Sequence, residues 1–226
     1  VYRAVDTNTG DTVAIKEISR AKIADERSKK HLDAEIRLLK EFAHPNIVRL
    51  IDHMASSNNI YLVFEHCGGG DLRVYIDKVG RLTEHTTRFF LLQLCDGLVY
   101  LNQRHMIHRD LKPQNILLTE QSSRAVLKIA DFGFVKYVEE ASVAATMCGT
   151  PLYMAPEIVD HFEYDAKVDM WSLGCILFEM LVGKTVFLGS TQAEVLSNVK
   201  VQDVVFPSHI TVSDQIIGLL QKVCSR

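Results

Sequence analysis

The sequence predicts an α+β protein of two lobes, a small β-rich lobe over residues 1–66 and a larger, mainly helical lobe over residues 67–226. Three observations lead to this prediction. Short strand-like segments separated by turn residues are concentrated in the first third of the chain. Longer apolar segments with helical periodicity follow. The run Gly68-Gly69-Gly70 lies where the pattern changes, so we expect a hinge there.

The first lobe alternates strand and helix patterns. The expected elements are strands at 1–5 and 12–18, a helix at about 25–42, and strands at 47–51 and 60–64. Turn residues at 8–11 and 56–59 predict that each pair of strands forms a hairpin. Apolar residues recur every three or four positions from Leu32 to Phe42, which predicts one apolar helix face.

The second lobe is predicted to be built around two long helices. The expected elements are an amphipathic helix at about 84–104, short strands at 116–118 and 126–130, and a helix at 168–181. The last of these is apolar on almost every side, which predicts a buried central position.

Composition excludes several classes of protein. Apolar residues make up 47% of the 226 positions, which is enough for a large core and argues against a disordered chain. The 25 basic and 28 acidic residues give a net charge of −3, so we expect no nucleic-acid partner. The longest apolar stretch, 171–183, includes Glu179 and is too short to span a membrane. Five cysteines without a C-x-x-C pair indicate reduced thiols, and the histidines show no zinc-ligand spacing.

Lys16 is the first residue with a chemical signal, because it lies in the apolar strand segment VAIK. A carboxylate or phosphate would satisfy its ammonium group. Glu35 follows 19 residues later on the predicted helix, and docking of that helix would bring the two side chains together. The alternative is a lysine on an edge strand that simply faces solvent.

The octet at 108–115, HRDLKPQN, falls in a loop between a helix and a short strand. The Asp110 carboxylate could accept or position the proton of a hydroxyl group. The amide oxygen of Asn115 could bind a hard cation, and Lys112 could neutralise a phosphate. These residue types together in one loop favour a catalytic site.

Two shorter motifs follow. Asp131-Phe132-Gly133 comes directly after a predicted strand, where a carboxylate could hold Mg²⁺ against a polyphosphate. Ala155-Pro156-Glu157 lies 26 residues further on, counted from Asp131 to Glu157. Either motif alone could be an ordinary turn.

In this order and spacing the four motifs resemble the signature of eukaryotic protein kinases over essentially the whole chain. The segment KPQN that follows in the same loop as Asp110 resembles the serine/threonine branch of the protein kinases, as does the Gly-Thr pair at 149–150. Segments 148–157 (CGTPLYMAPE) and 44–50 (HPNIVRL), with Phe134 after the Asp-Phe-Gly motif, resemble the autophagy-initiating ULK-type kinases.

The resemblance implies a two-lobed protein kinase fold that uses ATP and Mg²⁺ as cofactors. Asp110 would orient the acceptor hydroxyl and accept its proton, and Lys112 would meet the γ-phosphate. Thr150 would bridge Asp110 and Lys112. Asn115 and Asp131 would hold Mg²⁺.

The resemblance also implies a nucleotide site and the contacts that support it. Its implied residues are Lys16 paired with Glu35 at the phosphates, Val1, Ala14 and Leu117 around the base, Phe64 as gatekeeper, Glu65 to Cys67 as the hinge, and Asp71 at the ribose. The implied spine between the lobes is Leu39, Leu50, His108 and Phe132. Asp169 would anchor the backbone of the catalytic loop.

Regulation is implied by Arg109, the neighbour of Asp110. A phosphate on the following segment could neutralise its guanidinium group and order that segment. Thr146 is the first expected phosphorylation site and Ser142 the second. The alternative is an unmodified segment held by other contacts.

Two expected parts of a kinase domain are missing from the sequence. No glycine-rich phosphate loop precedes Val1, and no arginine partner for Glu157 follows near the end, so we interpret 1–226 as a domain truncated at both ends. Val186 also replaces the usual proline before Phe187. A P-loop enzyme is excluded, because the chain has no G-x-x-x-x-G-K-[ST] motif.

The expected function is transfer of the ATP γ-phosphate to Ser or Thr hydroxyls of protein substrates, in autophagy initiation. The alternative is a pseudokinase or a nucleotide-binding scaffold. No signal peptide or transmembrane segment is seen. We expect a cytoplasmic location, with adaptor proteins that bind outside 1–226 and recruit the kinase to membranes.

Overall fold

The first lobe of the computed structural model is a four-stranded antiparallel sheet in the order β1-β2-β4-β3. The described residues are 1–23, 25–132, 136–137, 150–160, 162 and 164–225. The elements of this lobe are β1 (Tyr2–Val5), β2 (Thr12–Ser19), α1 (Glu26–Glu41), β3 (Leu50–Ala55) and β4 (Asn59–Glu65). Strand β2 lies at the centre, where Lys16 pairs with Leu62 of β4. This register carries Lys16 on an interior strand, not on an edge.

One strand boundary differs from the prediction. The expected strand at 47–51 begins only at Leu50. The preceding segment bonds to the other lobe, because the Val48 N–H donates to the Ile129 carbonyl at 2.9 Å and the Ile129 N–H donates to the Asn46 carbonyl at 2.8 Å. The periodicity of a short apolar run does not tell whether the run pairs with a strand of its own lobe or with a strand of the other lobe.

The second lobe packs helices around a buried central helix. Its elements are α2 (Leu72–Val79), α3 (Glu84–Asn102), β5 (Met106–Ile107), β6 (Ile116–Leu118), β7 (Leu127–Ile129), β8 (Lys136–Tyr137), α4 (Pro156–Val159), α5 (Lys167–Val182), α6 (Gln192–Val201) and α7 (Asp214–Val223). Helix α5 is buried along most of its length, and Trp171 on it stacks on Phe187 with ring centroids 5.9 Å apart. The predicted two-lobed α+β fold is therefore confirmed.

The glycine run between the two lobes is hydrogen-bonded to strand β6 of the second lobe. The Gly69 N–H donates to the Leu118 carbonyl at 2.9 Å, and the Leu118 N–H donates back to the Gly70 carbonyl at 2.8 Å. A Cβ atom on Gly69 would lie 2.5 Å from the carbonyl group of Glu120. A side chain at position 69 is therefore excluded by backbone atoms, which explains glycine there.

Within the described part of the chain, Cys67, Cys95, Cys175 and Cys224 are free thiols. No described helix is both long and apolar enough to cross a bilayer.

Candidate active site

A cleft of about 440 Å³ opens between the sheet and the second lobe. This volume is within the range of small-molecule sites. The residues that line it are Val1, Tyr2, Arg3, Ala14, Lys16, Glu35, Leu39, Val48, Phe64, Glu65, His66, Cys67, Gln114, Asn115, Leu117, Ala130, Asp131 and Phe132. Apolar groups from both lobes and the charged side chains of Lys16, Glu35 and Asp131 therefore line one cavity.

The Asp110 carboxylate is the centre of a network in the loop before β6. Lys112 Nζ donates to Asp110 Oδ2 at 2.6 Å and to Thr150 Oγ1 at 2.9 Å. The Thr150 hydroxyl donates to Asp110 Oδ1 at 2.9 Å. Asn115 Nδ2 donates to the Asp110 carbonyl at 2.8 Å and to Oδ2 at 3.0 Å. The four predicted catalytic side chains are thus brought together, although Thr150 is distant in sequence.

The backbone of this loop is fixed by the central helix. Asp169 on α5 accepts from the N–H of His108 at 2.8 Å and from the N–H of Arg109 at 2.9 Å. Arg109 has φ 67°, a left-handed conformation that costs an ordinary residue about 1–2 kcal/mol. Burial is the main cause that raises the pKa of Asp169, and contacts with His108 and Arg109 oppose it. Asp169 therefore lies where the resemblance implies an anchor.

His108 joins the loop to the predicted spine. Its ring is fully buried, and burial lowers the pKa of His108. Nε2 lies 3.1 Å from the Ala130 carbonyl, so a neutral ring donates there. The His108 and Phe132 rings are 5.3 Å apart, and Phe132 also contacts Phe42 at 5.0 Å. Sequence reasoning did not include Phe42 in this stack.

Lys16 and Asp131 meet across the cleft. Lys16 Nζ donates to Asp131 Oδ1 at 3.1 Å, and Asp131 has φ 62°. This is the only ion pair that Lys16 makes among the described residues. The expected pair with Glu35 is therefore not formed in this structure. Burial raises the pKa of the Glu35 carboxyl group, an effect that Lys16 opposes and Asp131 reinforces. Glu35 is thus near both charges without a salt bridge to Lys16.

The comparisons with known proteins agree with this geometry. The family model described as "Protein kinase domain" matches residues 1–226. The chain belongs to the protein kinase family. It is 42% identical to the serine/threonine-protein kinase atg1 of Dictyostelium discoideum, covering 98% of this chain and 34% of that protein. It is 48% identical to the Arabidopsis thaliana serine/threonine-protein kinase ATG1b, covering 84% and 27%.

The human serine/threonine-protein kinase ULK1 is 44% identical, covering 79% of this chain and 17% of that protein. The chain spans about a third or less of the length of these three relatives. The resemblance to ULK-type serine/threonine kinases is confirmed.

The residues of this kinase domain fit a divalent cation held with a nucleotide. Asn115 uses both hydrogens of its amide on Asp110, which leaves Oδ1 as an acceptor. Asp131 is partly exposed and lines the same cleft. In the described part of the chain no three His, Cys, Asp or Glu side chains gather as a metal site. Mg²⁺ commonly uses one or two protein oxygens and completes its shell with phosphates and water, so this pair fits.

The hinge end of the cleft combines apolar walls with a fixed carboxylate. Val1, Ala14 and Leu117, which are predicted to surround the base, line the cleft together with Phe64. Glu65 accepts from the Arg49 N–H at 2.7 Å and from Lys128 Nζ at 2.8 Å, so its side chain is held by residues of both lobes.

Two other predicted nucleotide contacts differ in their surroundings. Burial raises the pKa of Cys67 to about 11, so its thiol is protonated at neutral pH. Asp71 is not among the residues that line the cleft. It caps α2, accepting from the Val74 N–H at 2.9 Å. Its role at the ribose stays a prediction.

The predicted regulatory residues are described only in part. Thr146 and Ser142 lie outside the described residues. Arg109 is buried, and its Nη1 donates to the Tyr164 hydroxyl at 3.2 Å.

Sequence reasoning missed a buried polar group below the segment that follows Thr150. Glu179 of α5 is completely buried, accepts from the Tyr153 hydroxyl at 2.6 Å and forms a salt bridge with Arg73 of α2. The signal in the sequence was a single acid inside the apolar run at 171–183. Such an acid needs a buried partner.

Proposed function

We propose that this kinase domain transfers the γ-phosphate of ATP to Ser or Thr hydroxyls of protein substrates. The observation that carries the proposal is the Asp110 network beside the cleft. An ionised carboxylate offers about four acceptor positions. Lys112, Thr150 and Asn115 occupy three of them through the contacts described above. One position remains for an incoming hydroxyl group.

Each charged residue of the site would have its own role in phosphoryl transfer. Asp110 would accept the hydrogen bond of the acceptor hydroxyl and then its proton. Lys112 would move from Asp110 toward the transferred phosphoryl group, since its ammonium is a flexible point charge. Thr150 would hold the other carboxylate oxygen, which keeps Asp110 oriented while Lys112 moves. Lys16 would exchange Asp131 for the α- and β-phosphates.

Asn115 and Asp131 would hold Mg²⁺, which when bound neutralises charge on the transferred phosphate. Release of Asp131 by Lys16 would free a carboxylate for that role. The two predicted changes of partner are therefore linked, because both start from the same 3.1 Å contact.

The relatives and the KPQN text support serine and threonine as acceptors. The names of the relatives also support a role in autophagy initiation. We further propose adaptor proteins as partners, a cytoplasmic location and recruitment to membranes. Phosphorylation of Thr146, or of Ser142, is part of the proposal, with Arg109 as the group that responds.

Asp131→Ala tests the phosphoryl-transfer function. We expect it to abolish transfer from radiolabelled ATP to a protein acceptor at saturating Mg²⁺. Asp33→Ala, which removes an exposed carboxylate from α1, is the matched control and should leave transfer unchanged. Transfer by Asp131→Ala at the parent rate would refute the assigned role.

The second candidate is a nucleotide-binding scaffold. The ion pair between Lys16 and Asp131 supports this candidate, because the charges of both residues are already neutralised without phosphates. A parent protein that binds ATP but transfers no phosphate would favour this candidate.

A further inference from the structure

We propose that Cys175 and Cys224 form an oxidant-sensitive site, at which hydrogen peroxide converts the two thiols into a reversible disulfide. Cys175 belongs to the central helix α5, and Cys224 ends helix α7. Neither residue lines the cleft. The inference therefore does not depend on the proposed kinase function, since it concerns a covalent change of two side chains that take no part in phosphoryl transfer.

The thiols of the two cysteines are in direct contact. The side chains of Cys175 and Cys224 are hydrogen-bonded to each other. Gly174 leaves room for this contact, because a Cβ atom at position 174 would lie 2.5 Å from Cys224 Sγ. A larger residue there would displace the Cys224 thiol. Two thiols held together in the folded chain have the starting geometry that a disulfide needs.

The packing of α7 on α5 keeps the two thiols together. Leu220 of α7 forms one buried cluster with Leu177 and Leu181 of α5. The Cys224 N–H donates to the Leu220 carbonyl at 2.8 Å, so Cys224 is attached to the turn that this cluster fixes. Cys224 is the C-cap residue of α7. Since the end of a helix has fewer backbone hydrogen bonds than its interior, Cys224 can move toward Cys175 without breaking the helix.

The two cysteines differ in the way that a peroxide-reactive pair requires. Cys175 has 1% of its surface exposed, whereas Cys224 is only partly buried. The hydrogen bond from Cys175 is the main cause that lowers the pKa of Cys224. The same contact and burial raise the pKa of Cys175, and Glu179 adds to this effect. Cys224 is therefore the nucleophile, and Cys175 is the protonated thiol that follows it.

The other two described cysteines have a different environment. Burial raises the pKa of the Cys67 thiol to about 11, and it also raises the pKa of Cys95. A raised pKa reduces the fraction of thiolate, which is the form that reacts with peroxide. Among the four described cysteines only Cys224 has a lowered pKa. Oxidation should therefore be selective for the pair.

The reaction takes two steps, with hydrogen peroxide as the two-electron oxidant. The Cys224 sulfur first attacks a peroxide oxygen: an S–O bond forms, the O–O bond breaks, and the leaving hydroxide takes the proton lost from Cys224 as water. The Cys175 sulfur then attacks the Cys224 sulfur: an S–S bond forms, the S–O bond breaks, and the leaving oxygen takes the Cys175 proton as water. Two thiols and one peroxide thus give one disulfide and two waters.

The disulfide would stabilise the folded second lobe. It would join residues that are 49 positions apart, counted from Cys175 to Cys224, and the closed loop would include α6. Such a bond restricts the unfolded chain and so favours the folded state. We expect the oxidised protein to unfold at a higher temperature than the reduced protein, and a dithiol reductant should reverse the difference.

The experiment treats the full-length protein with hydrogen peroxide, alkylates the remaining thiols under denaturing conditions, and maps the peptides by mass spectrometry without reduction. A second sample is oxidised in the presence of dimedone, which traps sulfenic acids. The variants are Cys175→Ala, Cys224→Ser and, as the matched control, Cys95→Ser. Cys95 is also a partly buried cysteine, but it lies on α3.

In the parent the peptides of Cys175 and Cys224 should be linked, and dithiothreitol should separate them. The oxidised parent should melt about 5–15 °C above the reduced parent. Cys175→Ala should give a dimedone adduct at Cys224, because its sulfenic acid has no thiol to condense with. Cys224→Ser should give neither a linked peptide nor an adduct at Cys175, and Cys95→Ser should match the parent.

A parent in which Cys175 and Cys224 are both still alkylated after peroxide treatment would overturn the inference, and this result does not depend on the folding of any variant. Loss of the linked peptide in Cys95→Ser would also overturn it. A dimedone adduct at Cys175 in Cys224→Ser, with none at Cys224 in Cys175→Ala, would refute the assigned order of attack. A parent that forms the disulfide but transfers no phosphate would refute the proposed function alone.

Discussion

Replacing Asp169 with alanine tests whether α5 holds the catalytic loop through its backbone. The substitution removes both acceptors of the His108 and Arg109 N–H groups. Each buried N–H without a partner costs about 1–3 kcal/mol, so the two together cost roughly 2–6 kcal/mol. Relaxation of the left-handed Arg109 backbone returns about 1 kcal/mol. We expect the free energy of unfolding to fall by about 3 kcal/mol.

Asp169→Asn refines the same prediction. An amide keeps one acceptor oxygen for one of the two N–H groups but turns a donor toward the other. Its loss should therefore be about half that of Asp169→Ala. Activity should fall at least about tenfold in both variants, because a small displacement of a positioned catalytic group is costly.

Urea unfolding followed by tryptophan fluorescence measures the change. Trp171, the single tryptophan of the chain, lies two residues from Asp169 on the same helix. Measurement near pH 8 favours the ionised carboxylate more than measurement at neutral pH does, because burial raises the pKa of Asp169. Asp33→Ala should stay within about 0.5 kcal/mol of the parent. An Asp169→Ala protein that also stays within this margin would refute the anchoring argument.

Three further predictions follow from the site and the hinge. Thr150→Ala should lower kcat about tenfold or more and Thr150→Ser should restore it, because serine keeps the hydroxyl that orients the carboxylate; steady-state kinetics decides this. Since burial lowers the pKa of His108 below 6.5, its stabilising effect should be present above that pH and lost as pH falls, by up to about 1.4 kcal/mol per pH unit. The difference in unfolding free energy between the parent and His108→Asn across pH 5–8 measures it, and a flat difference would contradict it. Gly69→Ala should cost about 1–3 kcal/mol because its Cβ meets the Glu120 backbone, whereas Gly218→Ala, in open space on α7, should gain up to about 1 kcal/mol; thermal melting that ranks them otherwise would contradict the packing argument.

Local patterns predicted most of the fold for identifiable reasons. The predicted helix at 84–104 appears as α3, because its apolar spacing and the Thr83 cap specify a helix without reference to the rest of the chain. The apolar run around Trp171 likewise predicted the buried helix. The segment before Leu50 was predicted less well, since its partner is a strand of the other lobe.

The active site also has one part that could be predicted from the sequence and one part that could not. The octet at 108–115 predicted its own network, because Asp110 and Asn115 are close in sequence. The pair of Tyr153 with Glu179 could not be read from the sequence, since only the packing of α5 against the segment after Thr150 brings them together. The acid in an apolar helix signalled that a partner exists but not which residue it is.

The carboxylates of Glu35 and Asp131 compete for the Lys16 ammonium group. This explains why the sequence predicted a pair with Glu35, whereas the structure has a pair with Asp131. Both carboxylates influence the same region, since Lys16 and Asp131 act on the pKa of Glu35 in opposite directions. A sequence identifies the candidate partners but not which of them the fold brings within reach of the ammonium group. Phosphates between Lys16 and Asp131 would add negative charge beside Asp131 and favour transfer of the lysine from that carboxylate. The pairing in this structure and the pairing implied by the family are two arrangements of the same three charges, and we predict that nucleotide binding converts the first into the second.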